Sequence, residues 1–355
     1  MTMPIPLSVL DLATVGVGET AEQALRTTVD IARFAERRGF RRFWVGEHHS
    51  LPSVSSSSPA VLLAHIAART GTIRLGSGGV MLPNHAPLVV AEQFGMLQAL
   101  APGRIDLGLG RATGAMPAAA RAVRGGAAGD GGPDFAGRLA DLIGFLDDSL
   151  PAGHPHAGVH AVPGPVQGKV LGGGDVPGRP EVWILGTSEA GARCAGELGM
   201  PFVVAHHFST TDTLPVLETY RKSFRPSAYL SRPYVMVCTS AVVATSEEEA
   251  YDQALTHVVA TVRMGVMPPG LIPSPEEAKA HSFSAEDQAY KERWLSRIAH
   301  GTPDRVRAEL DILVHDTGAD ELMVTSNTHG CAARLRSYEL LADVCDLADS
   351  DAQFR

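Results

Sequence analysis

The chain is poor in cysteine, carries no excess of positive charge and has no long apolar run, and each absence excludes a class of protein. Its four cysteines stand far apart and show neither the paired spacing of a zinc site nor the density of a disulfide scaffold. The net charge of -9 disfavours nucleic acid as a partner, because phosphate binding needs clustered lysine and arginine. No apolar stretch approaches the roughly 18 residues that span a bilayer. We therefore expect reduced cysteines, no nucleic-acid partner and no membrane segment.

What the sequence does contain is the composition of a globular protein of substantial size. Hydrophobic residues make up 45% of the 355 positions and charged residues 19%, so the chain can bury a large core. This length suits a single α/β barrel with enlarged loops. Residues 1–7 lack the basic region, apolar stretch and cleavage site of a secretory signal, so we expect a cytoplasmic protein.

Short apolar runs alternate with amphipathic segments along most of the chain, as an array of β-strands and α-helices requires. Helix signals include a capping box at residues 20–23 and a proline at the start of the segment 87–100. An open doubly wound sheet and a closed barrel both accommodate eight strands, and the strand count favours an α/β fold of the (β/α)8 TIM-barrel type. The predicted strands are 5–10, 42–46, 73–79, 104–108, 181–185, 202–205, 235–243 and 321–325.

Two irregular stretches interrupt this alternation. Residues 110–180 are rich in glycine, and only 135–150 among them has a helical pattern; residues 264–301 mix proline, serine and charge. The first stretch has too few apolar residues for a core of its own, so we interpret it as an enlarged loop around one helix after strand 4. We interpret the second as an enlarged loop after strand 7 that is suited to act as a lid. We predict one domain over 1–348 with insertions at about 110–180 and 264–301, and a flexible tail at 349–355.

Polar side chains follow several of the predicted strands, where the strands end. In a parallel barrel the carboxyl ends of all strands meet at one rim, and this rim carries the chemistry. We therefore expect one site built from residues that are far apart in sequence. The candidates at the rim are Asp11, Glu47, His48, His49, Arg111, His206, His207 and Asn327.

The segment Phe43–His49 is the most informative of these, because an apolar run stops at a carboxylate and two imidazoles. Successive side chains of a strand point to opposite faces, so only one of the two histidines continues the inward row. This geometry disfavours a metal clamp, and we predict no metal site. The alternative is that Glu47 and the histidines only solvate a strand end.

Two further motifs indicate an anion site. The glycines of 107–114 do not keep the strict spacing of a dinucleotide-binding turn, but Arg111 there offers a permanent positive charge to a phosphate or a flavin carbonyl. In 185–192 a strand passes into a helix through Thr187 and Ser188, and free amides at a helix start attract anions. The alternatives are a surface arginine that pairs with an acid and an ordinary helix cap.

Glycines at the end of the third predicted strand permit close approach of the backbone. Gly78 and Gly79 have no side chains, so a flat ligand can lie against them, or the backbone can adopt an unusual peptide geometry. The alternative is a bend or bulge of the barrel.

With these motifs together, most of the chain resembles the luciferase-like flavin monooxygenases. The resemblance is carried by Val45–His49, by Leu75–Pro83, by Gly103–Arg111, and by Leu185–Gly191 with Leu198–Phe202. It implies a (β/α)8 barrel that binds reduced FMN, reacts it with dioxygen to a flavin hydroperoxide and oxygenates a small organic substrate. A separate flavin reductase supplies the reduced FMN in this family, and relatives often form dimers, so a homodimer is possible.

The resemblance also implies roles for individual residues. His48 corresponds to a catalytic histidine beside the flavin, Glu47 adjoins it, and Arg111 and Ser188 correspond to contacts of the flavin phosphate, adjoined by Thr187 and Gly191. Gly78 and Gly79 correspond to a non-prolyl cis peptide beneath the flavin ring. Gly110 stands where the family has a reactive cysteine, so this chain has no thiol at that place.

Other functions remain compatible with the same sequence. A deazaflavin-dependent hydride-transfer enzyme uses a similar barrel, and a noncatalytic flavin-binding protein would retain it. A metal-dependent barrel hydrolase is disfavoured, because the first strand lacks a His-x-His pair. The nature of the bound cofactor separates these alternatives.

Overall fold

Residues 5–112, 114–125, 134–170, 178–209, 212–263 and 270–347 are described by a computed structural model of the protein. Within them, eight parallel strands close into a barrel in the order β1, β2, β3, β5, β6, β7, β8 and β10, and β10 pairs with both β8 and β1. The predicted (β/α)8 TIM barrel is therefore confirmed. The barrel strands are β1 (Leu7–Asp11), β2 (Arg42–Val45), β3 (Arg74–Ser77), β5 (Ile105–Gly110), β6 (Glu181–Gly186), β7 (Phe202–Ala205), β8 (Val235–Val243) and β10 (Glu321–Thr325).

Helices surround the barrel and connect its strands. Thr20 caps α1 through the predicted capping box, in which its side chain accepts from Gln23 and the Gln23 side chain accepts from the Thr20 amide. The helices are α1 (Ala21–Arg37), α2 (Pro59–Ala67), α3 (Pro87–Leu100), α4 (Pro117–Val123), α5 (Phe135–Leu146), α6 (Pro165–Val170), α7 (Glu189–Glu197), α8 (Thr213–Ser223), α9 (Glu247–Arg263), α10 (Pro275–Lys279), α11 (Ala285–Leu295), α12 (Pro303–Thr317) and α13 (Cys331–Val344).

The structure differs from the sequence prediction mainly in the short elements. The third predicted strand, 73–79, is two strands, because β3 ends before the glycine pair and β4 (Val80–Met81) follows it and pairs with β5. The first insertion contains α4 and α6 besides the predicted α5, and the second contains β9 (Ile298–Gly301), which pairs with β8 outside the closed ring. The tail at 349–355 lies outside the described residues.

Burial on both faces explains the composition of the barrel strands. All nine residues of β8, from Val235 to Val243, are buried, because one face lines the barrel and the other meets the helices. Trp44 and Trp183 meet edge to face inside the barrel, with ring centres 5.5 Å apart. The interior apolar cluster comprises Leu10, Trp44, Trp183, Val203, Met236, Cys238 and Met323.

Buried ion pairs close the amino ends of the strands. Arg42, at the start of β2, lies 2.8 Å from Asp106 and 3.2 Å from Glu321, and all three side chains are inaccessible to solvent or nearly so. These ion pairs lie at the barrel end opposite to the candidate site. None of the described helices is both long enough and apolar enough to cross a bilayer.

Candidate active site

Glu47 organises the carboxyl end of β2. Its buried carboxylate accepts hydrogen bonds from His49 Nε2, from His85 Nε2 and from the backbone amide of Met81, each at 2.9 Å. Burial opposes ionisation of this carboxyl, but the hydrogen bonds from His85, His49 and Met81 lower its pKa below 4.5. Glu47 is therefore an ionised anchor that joins three segments of the rim.

His48 is the one side chain of this motif with an unpartnered polar atom among the described residues. Its backbone amide donates to the Ser56 carbonyl at 3.0 Å, which fixes the main chain, while its Nδ1 is buried without a hydrogen-bond partner. A Cβ placed on Gly46 would stand 3.6 Å from this Nδ1 and 3.7 Å from the Gly78 carbonyl oxygen. Burial lowers the pKa of His48 below 6.5, although the charge of Glu47 raises it. His48 is thus a neutral imidazole close to the glycine pair.

The peptide bond between Gly78 and Gly79 is cis, as the resemblance implies. A Cβ on Gly79 would come within 2.8 Å of the Gly108 carbonyl oxygen, and one on Gly78 within 2.7 Å of Leu10. Gly79 therefore packs against the backbone of Gly108 and Gly78 against the side chain of Leu10, so a side chain at either position would collide. The link between β3 and β4 consequently carries no side chain at these two positions.

Arg111 and the start of α7 form a cradle on the neighbouring part of the rim. Gly110 pairs with Leu185 across β5 and β6, and this register brings Arg111 beside the β6–α7 turn. Arg111 Nη2 donates to Ser188 Oγ at 2.7 Å, and the same oxygen accepts from the Gly191 amide at 3.4 Å as the cap of α7. A Cβ on Gly191 would lie 3.7 Å from Arg111 Nε, so the absent side chain keeps the cradle open. Thr187 directly precedes Ser188.

The two histidines after β7 have different environments. His206 faces α8, because its Nδ1 lies 2.9 Å from the Thr213 hydroxyl. His207 faces the barrel, because its Nδ1 lies 3.0 Å from the carbonyl oxygen of Cys238 on β8. Burial lowers the pKa of His206 below its usual value and that of His207 to about 4. Both imidazoles are neutral at pH 7.

Two other rim candidates have structural partners. Asp11 accepts from Thr28 Oγ1 and the Ala13 amide, each at 2.7 Å, and pairs with the buried Arg334. Asn327 is buried and its side-chain oxygen accepts from the Thr325 hydroxyl. Both residues lie at the rim, as predicted, and their side chains are hydrogen-bonded to neighbouring protein groups.

Sequence reasoning did not single out His85, His257 or Trp294. His85 follows a short 3-10 turn after β4, and only its contact with Glu47 identifies it. His257 lies on α9, with its ring centre 6.4 Å from that of Trp294 on α11. No motif surrounds these residues, so only the packing of distant segments reveals them. In the described part of the chain, no group of three or more histidine, cysteine, aspartate or glutamate side chains is arranged to hold a metal ion.

Comparison with known sequences gives extensive matches. The sequence model of the family described as luciferase-like monooxygenase matches residues 5–321. YvbT of Bacillus subtilis strain 168, an uncharacterized protein, is 44% identical over 338 residues, 95% of this chain and 96% of that protein. A luciferase-like monooxygenase of Escherichia coli strain K12 is 40% identical over 340 residues, 96% of this chain and 97% of that protein. An N-acetyl-S-alkylcysteine monooxygenase of Bacillus subtilis is 33% identical over 344 residues, 96% and 98% of the two chains.

Solved structures share the same architecture. Apo-MsnO8 is 34% identical, with a TM-score of 0.84 over 98% of this chain and 100% of that chain. The oxygenating constituent of 3,6-diketocamphane monooxygenase of Pseudomonas putida, in complex with FMN, is 19% identical, with a TM-score of 0.69 over 96% and 98% of the chains. An F420-dependent secondary alcohol dehydrogenase is 15% identical, with a TM-score of 0.62 over 97% and 99%. At 19% and 15% identity, the last two likenesses show the fold alone.

Proposed function

Because the chain belongs to the luciferase-like monooxygenase family and is an oxidoreductase of that kind, we propose that it uses reduced FMN and dioxygen to oxygenate a small organic substrate. The observation that carries the proposal is the arrangement of the rim. The Arg111–Ser188 cradle, the bare backbone at Gly78–Gly79 and the neutral His48 all follow strands of one parallel barrel. These are the parts that a flat, phosphorylated cofactor requires.

The residues present fit FMN. A phosphate suits the cradle of Arg111, Ser188 and the open Gly191, because a guanidinium and the amino end of a helix both favour negative charge. We assign the flat ring to the backbone of the cis peptide Gly78–Gly79, where neither residue has a side chain to stand between ring and main chain. The unpartnered Nδ1 of His48 offers one hydrogen-bonding atom to the bound molecules. Bound reduced FMN supplies the electrons that activate dioxygen.

The protein's own contribution is to hold these groups in place and to manage protons. His48, neutral at pH 7, is suited to accept or hold a proton at Nδ1, because a general base works best when it is unprotonated at the working pH. Glu47 acts through His49 and His85, whose rings it fixes. Thr187 directly precedes Ser188, and we assign it to the turn that presents this residue to the phosphate.

Partners and location follow from the same proposal. A flavin reductase would supply reduced FMN in transient contact, since no second redox cofactor is part of the scheme. Val61 on α2 and Val89, Met96 and Leu100 on α3 are large exposed apolar side chains, which supports a homodimer formed through these helices. All four cysteines are free thiols, which suits the reducing cytoplasm. We also propose that residues 1–348 form one domain, because the main core cluster extends from Leu7 to Ala342.

Anaerobic titration followed by admission of oxygen tests the function. The flavin-free protein is titrated with reduced FMN and, separately, with reduced deazaflavin, and binding is followed by absorbance. Oxygen is then admitted in the presence of candidate thioether substrates, and products are identified by mass spectrometry. We expect binding of reduced FMN, with oxygen consumed and an oxygen atom incorporated into product.

The other outcomes separate the alternatives. Preference for reduced deazaflavin, with transfer of hydride and no oxygen uptake, would identify a hydride-transfer enzyme. Binding of reduced FMN with no product from any substrate, and no acceleration of oxygen consumption over free flavin, would identify a noncatalytic flavin-binding protein. Either result overturns the monooxygenase proposal.

A further inference from the structure

His207 presents a hydrogen-bond acceptor at the mouth of the barrel. Its Nδ1 lies 3.0 Å from the Cys238 carbonyl oxygen, and a carbonyl only accepts, so Nδ1 carries the hydrogen. In the neutral ring the lone pair is then at Nε2, on the opposite edge. The fixed hydrogen bond therefore sets both the tautomer and the direction of the free lone pair.

The ring keeps this neutral form over the physiological range. Burial lowers the pKa of His207 to about 4, the hydrogen bond to the Cys238 carbonyl opposes this shift, and the nearby His206 and His48 add to it because protonated imidazoles repel one another. His257, on α9, has a pKa lowered to about 4 mainly by burial and further by His207. The histidines that follow β2 and β7 and the one on α9 thus interact electrostatically, and His207 and His257 are uncharged at pH 7.

The Nε2 edge of His207 has no hydrogen-bond partner among the described residues. The residue is half-buried, and Nε2 is not fully buried. The next residue in the chain, Phe208, is 58% exposed, and its ring centre lies 6.1 Å from that of Trp294. An acceptor nitrogen beside exposed aromatic surface is suited to a ligand that combines one polar hydrogen with an apolar part.

We propose that His207 is a substrate-binding residue, whose Nε2 accepts a hydrogen bond from an N–H or O–H group of the substrate while an apolar part packs on Phe208 beside Trp294. This deepens the proposed function and rests on it, since the bound molecule is the one to be oxygenated. An ionised carboxylate has no hydrogen to donate to Nε2, so the group received here is a neutral donor such as an amide or an alcohol.

Two substitutions separate the role of Nε2 as hydrogen-bond acceptor from the role of Nδ1 as donor to the Cys238 carbonyl. His207→Asn places an amide where Nδ1 stands, so it retains a donor for the Cys238 carbonyl but has no atom at the position of Nε2. His207→Gln places an amide oxygen near the position of Nε2 and loses the anchor. His206→Asn is the matched control, because it removes the neighbouring imidazole and retains a partner for Thr213.

The probes are N-benzylacetamide, which has an N–H group, and N-benzyl-N-methylacetamide, which lacks it. Binding is measured by calorimetry with the oxidised FMN complex, so no turnover occurs. We expect the wild type to bind the N–H probe about fivefold more tightly, which corresponds to one net hydrogen bond of about 1 kcal/mol. The ratio of the affinities for the two probes should fall to about one in His207→Asn. In His207→Gln and His206→Asn it should stay at about five.

Chemical modification gives a second readout. Diethyl pyrocarbonate acylates an accessible, unprotonated imidazole nitrogen, so His207 should react at pH 7 in the FMN complex, as should the exposed His315. N-benzylacetamide should protect His207 and leave His315 reactive.

An unreactive His207, equal affinity for the two probes in the wild type, binding of neither probe, or an unchanged ratio in His207→Asn would overturn the proposal. Failure of the monooxygenase proposal appears separately, as absence of oxygen uptake and product with reduced FMN. The binding ratio does not depend on that result.

Discussion

At the scale of single residues, Glu47 and His48 divide the work at the end of β2. Glu47 is fully buried and accepts three hydrogen bonds, so it is already satisfied and contributes rigidity. His48 has an unpartnered Nδ1 and a lowered pKa, so it has capacity left for a bound molecule. A carboxylate whose hydrogen bonds are all made, beside an imidazole that still has an unpartnered nitrogen, is typical of a preorganised site.

Replacement of His48 tests its proposed role as proton acceptor. We expect His48→Ala to lower the rate of product formation about 100-fold or more, because general base catalysis contributes at least that factor. FMN affinity should stay within about threefold, since the phosphate cradle is untouched. The measurements are the rate of product formation and the product formed per oxygen consumed, with hydrogen peroxide assayed as the competing product.

His156→Ala serves as the matched control, because His156 is an exposed histidine on the first insertion. The control should behave like the wild type. A His48→Ala protein that couples oxygen to product as well as the wild type would contradict the assignment.

At the scale of secondary-structure elements, the start of α7 serves two purposes. Ser188 caps the helix through the Gly191 amide and also accepts from Arg111, which the neighbouring strand delivers. The parallel pairing of β5 with β6 brings Arg111 beside Ser188, because Gly110 and Leu185 are in register. An anion at this place would interact with a helix terminus and a guanidinium together.

Arg111→Ala tests the cradle through two flavins that differ in one group. FMN affinity should fall about 10- to 100-fold, because a hydrogen bond to a charged group contributes about 1.5–3 kcal/mol. Riboflavin has no phosphate, so its affinity should be unchanged. Fluorescence titration of wild type and variant with both flavins gives the four dissociation constants.

Arg193→Ala is the charge-matched control, because Arg193 is an exposed arginine on the same helix. It should leave both affinities unchanged. An equal loss for FMN and riboflavin in Arg111→Ala would show that the residue supports the fold of the site rather than the phosphate.

At the scale of the whole molecule, stability and chemistry occupy opposite ends of the barrel. Arg42, Asp106 and Glu321 form the buried ion pairs at the amino ends of the strands, and Glu181 lies 3.3 Å from Arg42. Arg42 also lies over the Trp183 ring, 4.7 Å from its centre. The candidate site therefore lies at one end of a barrel whose opposite end is stabilised by buried ion pairs.

Removal of Arg42 should destabilise the fold strongly. In Arg42→Met the carboxylates of Asp106 and Glu321 remain buried without their partner, at a cost of about 3–5 kcal/mol in the free energy of unfolding. Urea unfolding measures the loss. Arg26→Met, which breaks the exposed pair with Glu22, should cost about 1 kcal/mol or less. A similar small cost in both variants would contradict the structural role of Arg42.

The neutral histidines predict how stability depends on pH. The pKa values of His207 and His257, about 4, lie below the ordinary 6.5 of an unfolded histidine. Below pH 6.5 the unfolded chain therefore binds protons that the folded chain does not, so stability is complete above that pH and declines as the pH falls toward 4. The slope is at most about 1.4 kcal/mol per pH unit for each histidine.

Urea unfolding between pH 7.5 and 5 measures this slope. The lower limit stays above 4.5, so carboxyl groups with a lowered pKa, such as Glu47, contribute little. His257→Asn should reduce the slope, whereas replacement of the exposed His315 by asparagine should not. A slope that is the same in all three proteins would refute the histidine origin.

Much of the barrel could be predicted because its signals are local. Continuous apolar runs on β2 and β8 predict buried parallel strands, and Thr20 and Gln23 predict the start of α1. The short strands β4 and β9 could not be predicted, because β4 has two residues that continue the glycine-rich end of β3, and β9 mixes His300 and Gly301 with only two apolar residues. They form because neighbouring strands offer free backbone groups.

The sequence by itself determined the barrel, the place of the rim and the residues that follow its strands, since each depends on side chains close in sequence. Only the tertiary structure decided which of these residues are free to act. In it Asp11 pairs with Arg334, Glu47 accepts from His49 and His85, and the buried Nδ1 of His48 has no hydrogen-bond partner among the described residues. It also brought His257 and Trp294 toward His207. Such contacts join segments far apart in the chain, and their partners are set by how the closed barrel packs rather than by any local pattern.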